Sequence, residues 1–261
     1  MGQIKAWLRN RLRSMGRSSL FQRLPDHHNA VLMYHSVGGV GYGNISQEMF
    51  RSHVRWLDQT YDIVDLPEIP EDSGSKQVAL TFDDGYHSFA DAVVPVLEEF
   101  SVPATVFVIG KTLEDESFVH DGPPEKRSYL TIEQLRDIKA SEFVTIGNHS
   151  HSHYSLPTIE SSEKLTTEIT GSKKLIEDRL NICVDRFCYP YGNWSDHSRS
   201  VVGQGHEYAV EGIPVDAFVT PETDPLAIPR VDAAVTLPTL QYDISDTSTY
   251  LSRFTNICSN A

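Results

Sequence analysis

The sequence predicts an α/β domain in which parallel strands alternate with helices. From residue 30 onward, short runs rich in β-branched residues alternate with segments of helical periodicity, the arrangement that gives parallel strands joined by crossover helices. A chain of 261 residues with 39% hydrophobic content can bury a sizeable core without a second domain. Candidate functional residues follow several of the predicted strands, as expected for a fold whose strand ends open on one crevice.

Eight strands and six helices are predicted within this domain. The strands are expected at about 30–35, 61–65, 77–82, 103–109, 143–147, 186–189, 207–210 and 227–231. The helices are expected at about 46–59, 87–100, 131–141, 160–180, 196–204 and 238–256. Ser46 and Thr131 stand where helix N-caps are needed. The segment 111–130 is predicted to be a long loop at the rim of an active site.

Residues 1–24 are predicted to form a basic amphipathic segment ahead of a catalytic domain at 25–261. Residues 1–23 hold six basic side chains and no acidic one. Apolar residues recur there at helical spacing, namely Ile4, Trp7, Leu8, Leu12 and Met15. Such a helix can rest on an anionic membrane surface or pack on its own domain, and both alternatives stay open.

Composition narrows the classes of function and location. The formal net charge of −14 at pH 7 disfavours binding to nucleic acid. No run of about 18 apolar residues occurs and the first residues lack a secretory pattern, so we expect a cytoplasmic protein with optional peripheral contact at the inner membrane face. The three cysteines, Cys183, Cys188 and Cys258, lack zinc-type spacing and are predicted to be reduced structural thiols.

Two carboxylates follow the predicted strand at 77–82. Asp83 and Asp84 are adjacent, so their side chains leave the strand in different directions. One of them can bind a metal ion while the other acts as a base. Turns also favour the sequence Asp-Asp-Gly, so this pattern alone does not decide between a site and a turn.

Three histidines follow the predicted strand at 143–147. His149 and His153 are four residues apart and can meet on one side of a helical turn, and His151 lies between them. Two neutral imidazoles and one carboxylate suit zinc first, with cobalt, nickel or iron(II) as alternatives. The sequence therefore predicts a divalent metal site.

An aromatic turn follows the predicted strand at 186–189. Pro190 and Gly192 favour a fixed turn whose backbone N–H groups can point at a ligand. Tyr191 and Trp194 can form a wall against a sugar ring.

These segments resemble the polysaccharide deacetylases, carbohydrate esterase family 4 with the NodB homology domain. The match lies in Thr81-Phe82-Asp83-Asp84-Gly85-Tyr86 and in His149-Ser150-His151-Ser152-His153, and it spans about residues 30–232. The resemblance implies a NodB-like distorted (β/α) barrel of about seven parallel strands. It also implies removal of N-acetyl groups from N-acetylhexosamine-containing glycans or their precursors. Two alternatives stay open: a hydrolase of a non-sugar amide on the same fold, and an inactive glycan-binding homologue.

The resemblance implies a role for each matching residue. Asp83 would be the base that takes a proton from the attacking water, and Asp84, His149 and His153 would hold the metal ion. The backbone N–H of Tyr191 would stabilise the oxyanion. The substrate would contact three further residues, Pro190, Trp194 and Tyr86.

The sequence departs from the family pattern in two places. Cys188 stands where an arginine is usual, so Arg230 is expected to orient Asp83, with Arg186 as the alternative. No histidine follows residue 206, so the usual carboxyl-terminal general acid is missing. Leu32-Met33-Tyr34-His35 resembles the permuted subgroup of poly-N-acetylglucosamine deacetylases, which implies that His35 is the acid. Asp232 is expected to keep His35 charged, and His206 is the alternative acid.

Overall fold

The computed structural model describes residues 29–69, 74–120, 128–214 and 217–245. The basic segment predicted at 1–24 and the thiol of Cys258 lie outside these residues. Among the helices that are described, none combines the length and apolar character needed to cross a membrane.

Nine strands form one mixed sheet in the described part of the chain. The strand β3 is buried along its whole length, as expected for a strand covered on both faces. The strands are β1 Asn29–Tyr34, β2 Asp62–Ile63, β3 Gln77–Phe82, β4 Ala104–Val108, β5 Val144–Asn148, β6 Arg186–Cys188, β7 Tyr208–Val210, β8 Phe218–Val219 and β9 Val231–Asp232.

The sheet curls into a half-barrel that brings its first and last parallel strands together. Its order is β7-β6-β5-β4-β3-β1-β8, with β2 beside β3 and β9 beside β1. Among these strands, β8 alone pairs in the antiparallel direction. A parallel bridge joins Val210 of β7 to Ile228, and three residues later β9 pairs with β1. We call residues 228–232 the closing segment, because they contact both β7 and β1.

Helices cover the outside of this sheet. Ser46 caps the first helix by accepting from the Met49 N–H, and Thr131 caps the third by accepting from the Gln134 N–H, so both predicted caps are confirmed. The described helices are α1 Gln47–Asp58, α2 Val94–Phe100, α3 Ile132–Ile138, α4 Ser162–Thr166, α5 Ser172–Leu180, α6 Asp196–Val202 and α7 Leu237–Asp243.

Two predicted helices are interrupted by π-helical turns. The helix predicted at 87–100 contains one at Phe89–Val93 before α2, where Pro95 lacks the N–H needed for a regular ladder. The helix predicted at 160–180 contains one at Thr167–Gly171 between α4 and α5. The predicted periodicity is kept, but the regular hydrogen-bond ladder is not.

Two predicted boundaries need correction, and one strand was not predicted. In the described part of the helix predicted at 238–256, the helix ends at Asp243, because the N–H and hydroxyl of Ser245 both turn back to the Tyr242 carbonyl. Residues 246–256 of that prediction lie outside the described residues. The strand predicted at 227–231 pairs with β1 only at β9. The two-residue strand β8 was not predicted, since two residues are too few to give an alternating pattern.

An aromatic cluster fixes the ends of β1 and β3. The Phe82 ring lies 5.1 Å from that of Tyr34, 5.5 Å from that of Phe50 and 5.0 Å from that of Phe89. All four residues are at most 1% exposed. Because interiors are packed this closely, the residues that follow the two strands are held in defined positions.

Candidate active site

Asp83 and Asp84 diverge at the carboxyl end of β3, as the sequence predicted. Asp84 adopts a left-handed conformation with φ 69°, and Gly85 follows with φ 67°. A Cβ atom on Gly85 would lie 2.9 Å from Cγ1 of Val108, so a side chain does not fit there. This tight turn sends Asp83 toward the closing segment and Asp84 toward the loop after β5.

Asp84, His149 and His153 form a buried cluster. Oδ1 of Asp84 lies 3.5 Å from Nε2 of each histidine, and the three ligand atoms lie within 4.8 Å of one another. Asp84 is 3% exposed, and its Oδ1 has no hydrogen-bond partner. An unpartnered buried carboxylate oxygen facing two imidazoles is an unfavourable arrangement unless a cation lies between them. The donor set therefore fits a divalent metal ion of the zinc type.

The two histidines do not meet on a helical turn, which corrects the prediction. Ser150 and His153 both adopt left-handed conformations, with φ of 62° and 57°, so the chain after β5 is an irregular loop. The His153 N–H donates to Oγ of Ser150 at 3.0 Å and closes this loop. Nδ1 of His149 lies 2.8 Å from the Cys188 carbonyl, which directs its Nε2 toward Asp84.

The electrostatics of the cluster favour an ionised Asp84 and a neutral His153. Burial alone would lower the pKa of His149, but Cys188 and Asp84 raise it well above its usual value. Burial alone would raise the pKa of Asp84, but His149, His120 and His153 lower it well below its usual value. Burial lowers the pKa of His153 to about 3, and the neighbouring His149 adds to this effect. Both groups are therefore in the protonation state that metal binding requires.

Arg230 binds the other carboxylate, Asp83, in a bidentate pair. Nη1 lies 2.7 Å from Oδ1 and Nη2 lies 2.8 Å from Oδ2, and Arg230 is 1% exposed. Burial alone would raise the pKa of Asp83, but the Arg230 guanidinium lowers it to about 2. Asp83 is thus ionised at neutral pH and held in one orientation.

The same guanidinium also contacts Cys188, the residue that stands in place of the family arginine. Nη2 of Arg230 lies 3.2 Å from Sγ of Cys188, and Nε donates to the Glu211 carbonyl at 2.8 Å. Arg186, the alternative, instead pairs with Asp65 at 2.6 Å and with Asp185 at 2.9 Å. Arg186 begins β6, so it lies toward the amino end of the sheet and away from Asp83.

His35 lies on the open side of Asp83. Its Nε2 is 3.8 Å from Oδ2 of Asp83, and its side chain is 12% exposed. Asp232, the predicted partner of His35, accepts from the Ala234 N–H. The alternative, His206, lies in the core, where the side chain of Asn148 contacts its Nε2 at 3.1 Å.

The aromatic turn after β6 lies next to the metal cluster. Tyr191 has φ 58°, and its half-exposed ring lies 4.7 Å from that of His153. A Cβ atom on Gly192 would lie 2.2 Å from the Cα of Gly212, so the turn and the loop after β7 are in direct backbone contact. Pro190, which begins the turn, is buried.

Trp194 and Tyr86, the other predicted substrate contacts, are used within the protein. Nε1 of Trp194 donates to Glu211 at 2.6 Å. Tyr86 is 3% exposed, its ring stacks on Tyr129, and its hydroxyl accepts from the Tyr42 N–H at 3.3 Å. Contact of either residue with a substrate stays a prediction.

His120 is a site residue that the sequence did not reveal. Its Nε2 lies 3.6 Å from Oδ1 of Asp84, its ring lies 4.1 Å from that of His153, and its side chain is 5% exposed. A lone histidine in an irregular loop carries no periodic signal. The one feature of the sequence that pointed to His120 was its position in segment 111–130, the loop predicted at the rim of the active site. His151, by contrast, faces Glu114 at 3.6 Å.

Comparisons with known proteins point to one family. The family model for polysaccharide deacetylases matches residues 71–208, just over half of the chain. YxkH of Bacillus subtilis (strain 168), provisionally named a polysaccharide deacetylase, is 27% identical over 175 residues, which are 64% of this chain and 58% of that protein. The poly-beta-1,6-N-acetyl-D-glucosamine N-deacetylase of Escherichia coli (strain K12) is 27% identical over 158 residues, which are 54% of this chain and 24% of that protein. The chain thus spans less than two thirds of either relative.

Solved structures share the fold. The Streptococcus pyogenes deacetylase PplD in complex with acetate superimposes with a TM-score of 0.70 at 20% identity, over 85% of this chain and 100% of that one. IcaB from Ammonifex degensii superimposes with a TM-score of 0.68 at 23% identity, over 84% of this chain and 97% of that one. Both matches show that this chain shares the α/β fold of these proteins. Because the family model covers more than half of its residues, the chain belongs to the polysaccharide deacetylase family.

Proposed function

We propose that this protein is a metal-dependent N-deacetylase that hydrolyses the acetamide of N-acetylhexosamine residues in a glycan or glycan precursor. The observation that carries the proposal is the pairing of two differently held carboxylates. Asp84 faces two imidazoles with an unpartnered oxygen, while Asp83 beside it is clamped by Arg230. One carboxylate is thus built to hold a cation and the other to remain an oriented base.

Asp84, His149 and His153 would hold the metal ion. When bound, a zinc-type ion supplies Lewis-acid polarisation of the acetyl carbonyl and acidifies the attacking water. Asp83 lies one residue away, and its ionised carboxylate accepts the proton that this water gives up. Arg230 fixes the carboxylate in place, so no reorientation is needed as the proton arrives.

Two further groups complete the reaction. The backbone N–H of Tyr191 is proposed as the donor to the developing oxyanion, which is supported by the position of its turn beside His153. His35, across from Asp83, is proposed to protonate the departing amine. The oxygen of the attacking water thereby enters acetate, and a proton goes to the amine of the free amino sugar.

The substrate class is supported by the relatives. The E. coli protein described above is named for deacetylation of poly-beta-1,6-N-acetyl-D-glucosamine. For this chain we propose an N-acetylhexosamine in a surface-glycan precursor, met on the cytoplasmic side.

The proposed activity is tested by measuring acetate release from a defined panel of substrates. The metal-loaded protein should release acetate from N-acetylglucosamine oligomers or from lipid-linked or nucleotide-linked N-acetylhexosamines. The Asp83→Asn variant is the matched control and should release none. Release from simple non-sugar amides alone would contradict the sugar assignment, and no release from any member would indicate an inactive homologue.

We expect the His35→Ala variant to bind metal normally and to lose turnover by about 10²- to 10⁴-fold, the usual contribution of general acid–base catalysis. The alkaline limb of its pH–rate profile should disappear, because the amine would leave unprotonated. A His206→Gln variant is the control, since His206 lies in the core. Normal turnover with an unchanged alkaline limb in His35→Ala would assign the acid elsewhere.

A further inference from the structure

We propose that His120 is an additional protein ligand of the metal ion, reaching it from the loop that follows β4. This inference rests on the metal site proposed above and extends it. Asp84 follows β3, and His149 and His153 follow β5; these two strands are the neighbours of β4 in the sheet. Three adjacent strands would then each deliver ligands at their carboxyl ends.

Three imidazoles surround one oxygen at nearly equal distances. Oδ1 of Asp84 lies 3.5 Å from Nε2 of His149, 3.5 Å from Nε2 of His153 and 3.6 Å from Nε2 of His120. Zinc-type ions bind nitrogen and oxygen ligands at about 2.0–2.2 Å, which places adjacent ligand atoms about 3.0 Å apart around a six-coordinate ion and about 3.4 Å apart around a tetrahedral one. His120 therefore meets the spacing from Asp84 that the other two histidines meet.

The orientation of His120 is also that of a ligand. Its Nδ1 contacts the Tyr129 hydroxyl at 2.6 Å, and its Nε2 faces Asp84. His149 is oriented in the same way, with Nδ1 against the Cys188 carbonyl and Nε2 toward Asp84. Metal-binding histidines commonly have the second ring nitrogen fixed by an oxygen in this manner.

His120 would join a group that is already sufficient to bind the ion. The atoms of Asp84, His149 and His153 lie within 4.8 Å of one another without it. His120 would be a fourth protein ligand, leaving two positions on a six-coordinate ion for water and the acetyl oxygen. The alternative role, a hydrogen bond from His120 to Asp84 without metal contact, predicts a different coordination number.

The first measurement counts the imidazole ligands of the bound metal ion, and its decisive sample is the unsubstituted protein. X-ray absorption spectra of the full-length protein loaded with Zn²⁺ should be fitted by three imidazole ligands. The His120→Ala protein should be fitted by two. Two imidazoles in the unsubstituted protein would overturn the proposal, whatever the effect of the substitution on activity.

The second measurement is metal affinity, by competition of Zn²⁺ between a chromophoric chelator and the apoprotein. His120→Ala should weaken Zn²⁺ binding by at least about tenfold, since loss even of an outer partner of a ligand costs 10- to 100-fold. His151→Ala is the matched control and should bind as the unsubstituted protein does, because His151 faces Glu114. Thermal unfolding of each apoprotein shows whether the variants are folded.

Failure of this inference is distinguishable from failure of the proposed function. If His149→Ala loses metal while His120→Ala binds Zn²⁺ with unchanged affinity, the metal site stands and the role of His120 is wrong. If His149→Ala retains metal, the proposed site itself is wrong.

Discussion

Replacing Asp84 or His149 with alanine should remove nearly all bound metal and nearly all turnover. Each side chain contributes one of the three ligand atoms gathered within 4.8 Å, and both residues are at most 3% exposed. Water cannot easily replace a ligand in so enclosed a site. Because the metal ion would supply both carbonyl polarisation and the acidified water in the proposed reaction, turnover should fall with metal content.

Metal analysis and acetate release on the same protein samples check this prediction. Asp83→Asn should keep its metal and lose turnover, since both carboxylate oxygens of Asp83 are bound by Arg230. His151→Ala should keep both. Near-stoichiometric metal in His149→Ala would contradict the ligand assignment, and loss of metal in Asp83→Asn would place Asp83 among the ligands.

Replacing Arg230 should damage both stability and turnover. Arg230→Ala leaves the Asp83 carboxylate buried without its partner, which typically costs about 3–5 kcal/mol. Arg230→Lys keeps the positive charge but cannot form the two parallel hydrogen bonds, so it should recover part of the stability and little of the turnover.

The Arg186→Lys variant is the matched control. Arg186 is also buried and paired with carboxylates, but at the other end of β6. Both lysine variants should lower the free energy of unfolding, whereas only Arg230→Lys should lower kcat strongly. Full turnover in Arg230→Lys together with loss in Arg186→Lys would reverse the assignment.

The stability effect of the Asp83–Arg230 pair should depend on pH. The pKa of Asp83 is lowered from 3.8 to about 2 in the folded protein. The stabilisation is therefore fully present above the unfolded-state pKa and is lost as the pH falls through about 2. Denaturant unfolding of the native protein and Arg230→Ala should show a difference that is constant above about pH 5 and shrinks below pH 4.

The site residues that could be placed from the sequence either follow a predicted strand directly or belong to a short spaced motif. Asp83 and Asp84 follow a wholly buried strand, and His149 and His153 form a short spaced motif, so both pairs could be placed at strand ends. Arg230 was located by the same argument at a later strand end. A side chain can be placed from the sequence where the position of a strand end decides its position.

The features that the sequence did not reveal depend on tertiary contact. His120 and Asp84 are distant in the sequence and meet only in the folded chain, and the same is true of Cys188 and Arg230. The helical turn expected for His149 and His153 was wrong, since their spacing also suits a loop with left-handed residues. The segment at 1–24 lies outside the described residues, so its membrane contact stays a prediction.

The closing segment also separates the two parts of the site along the sequence. All three residues of the metal cluster precede residue 154, whereas the clamp on Asp83 comes from Arg230, two residues after the bridge between β7 and Ile228. We therefore expect damage confined to the closing segment to act on the orientation of the base, Asp83, and to leave the three cluster residues unchanged.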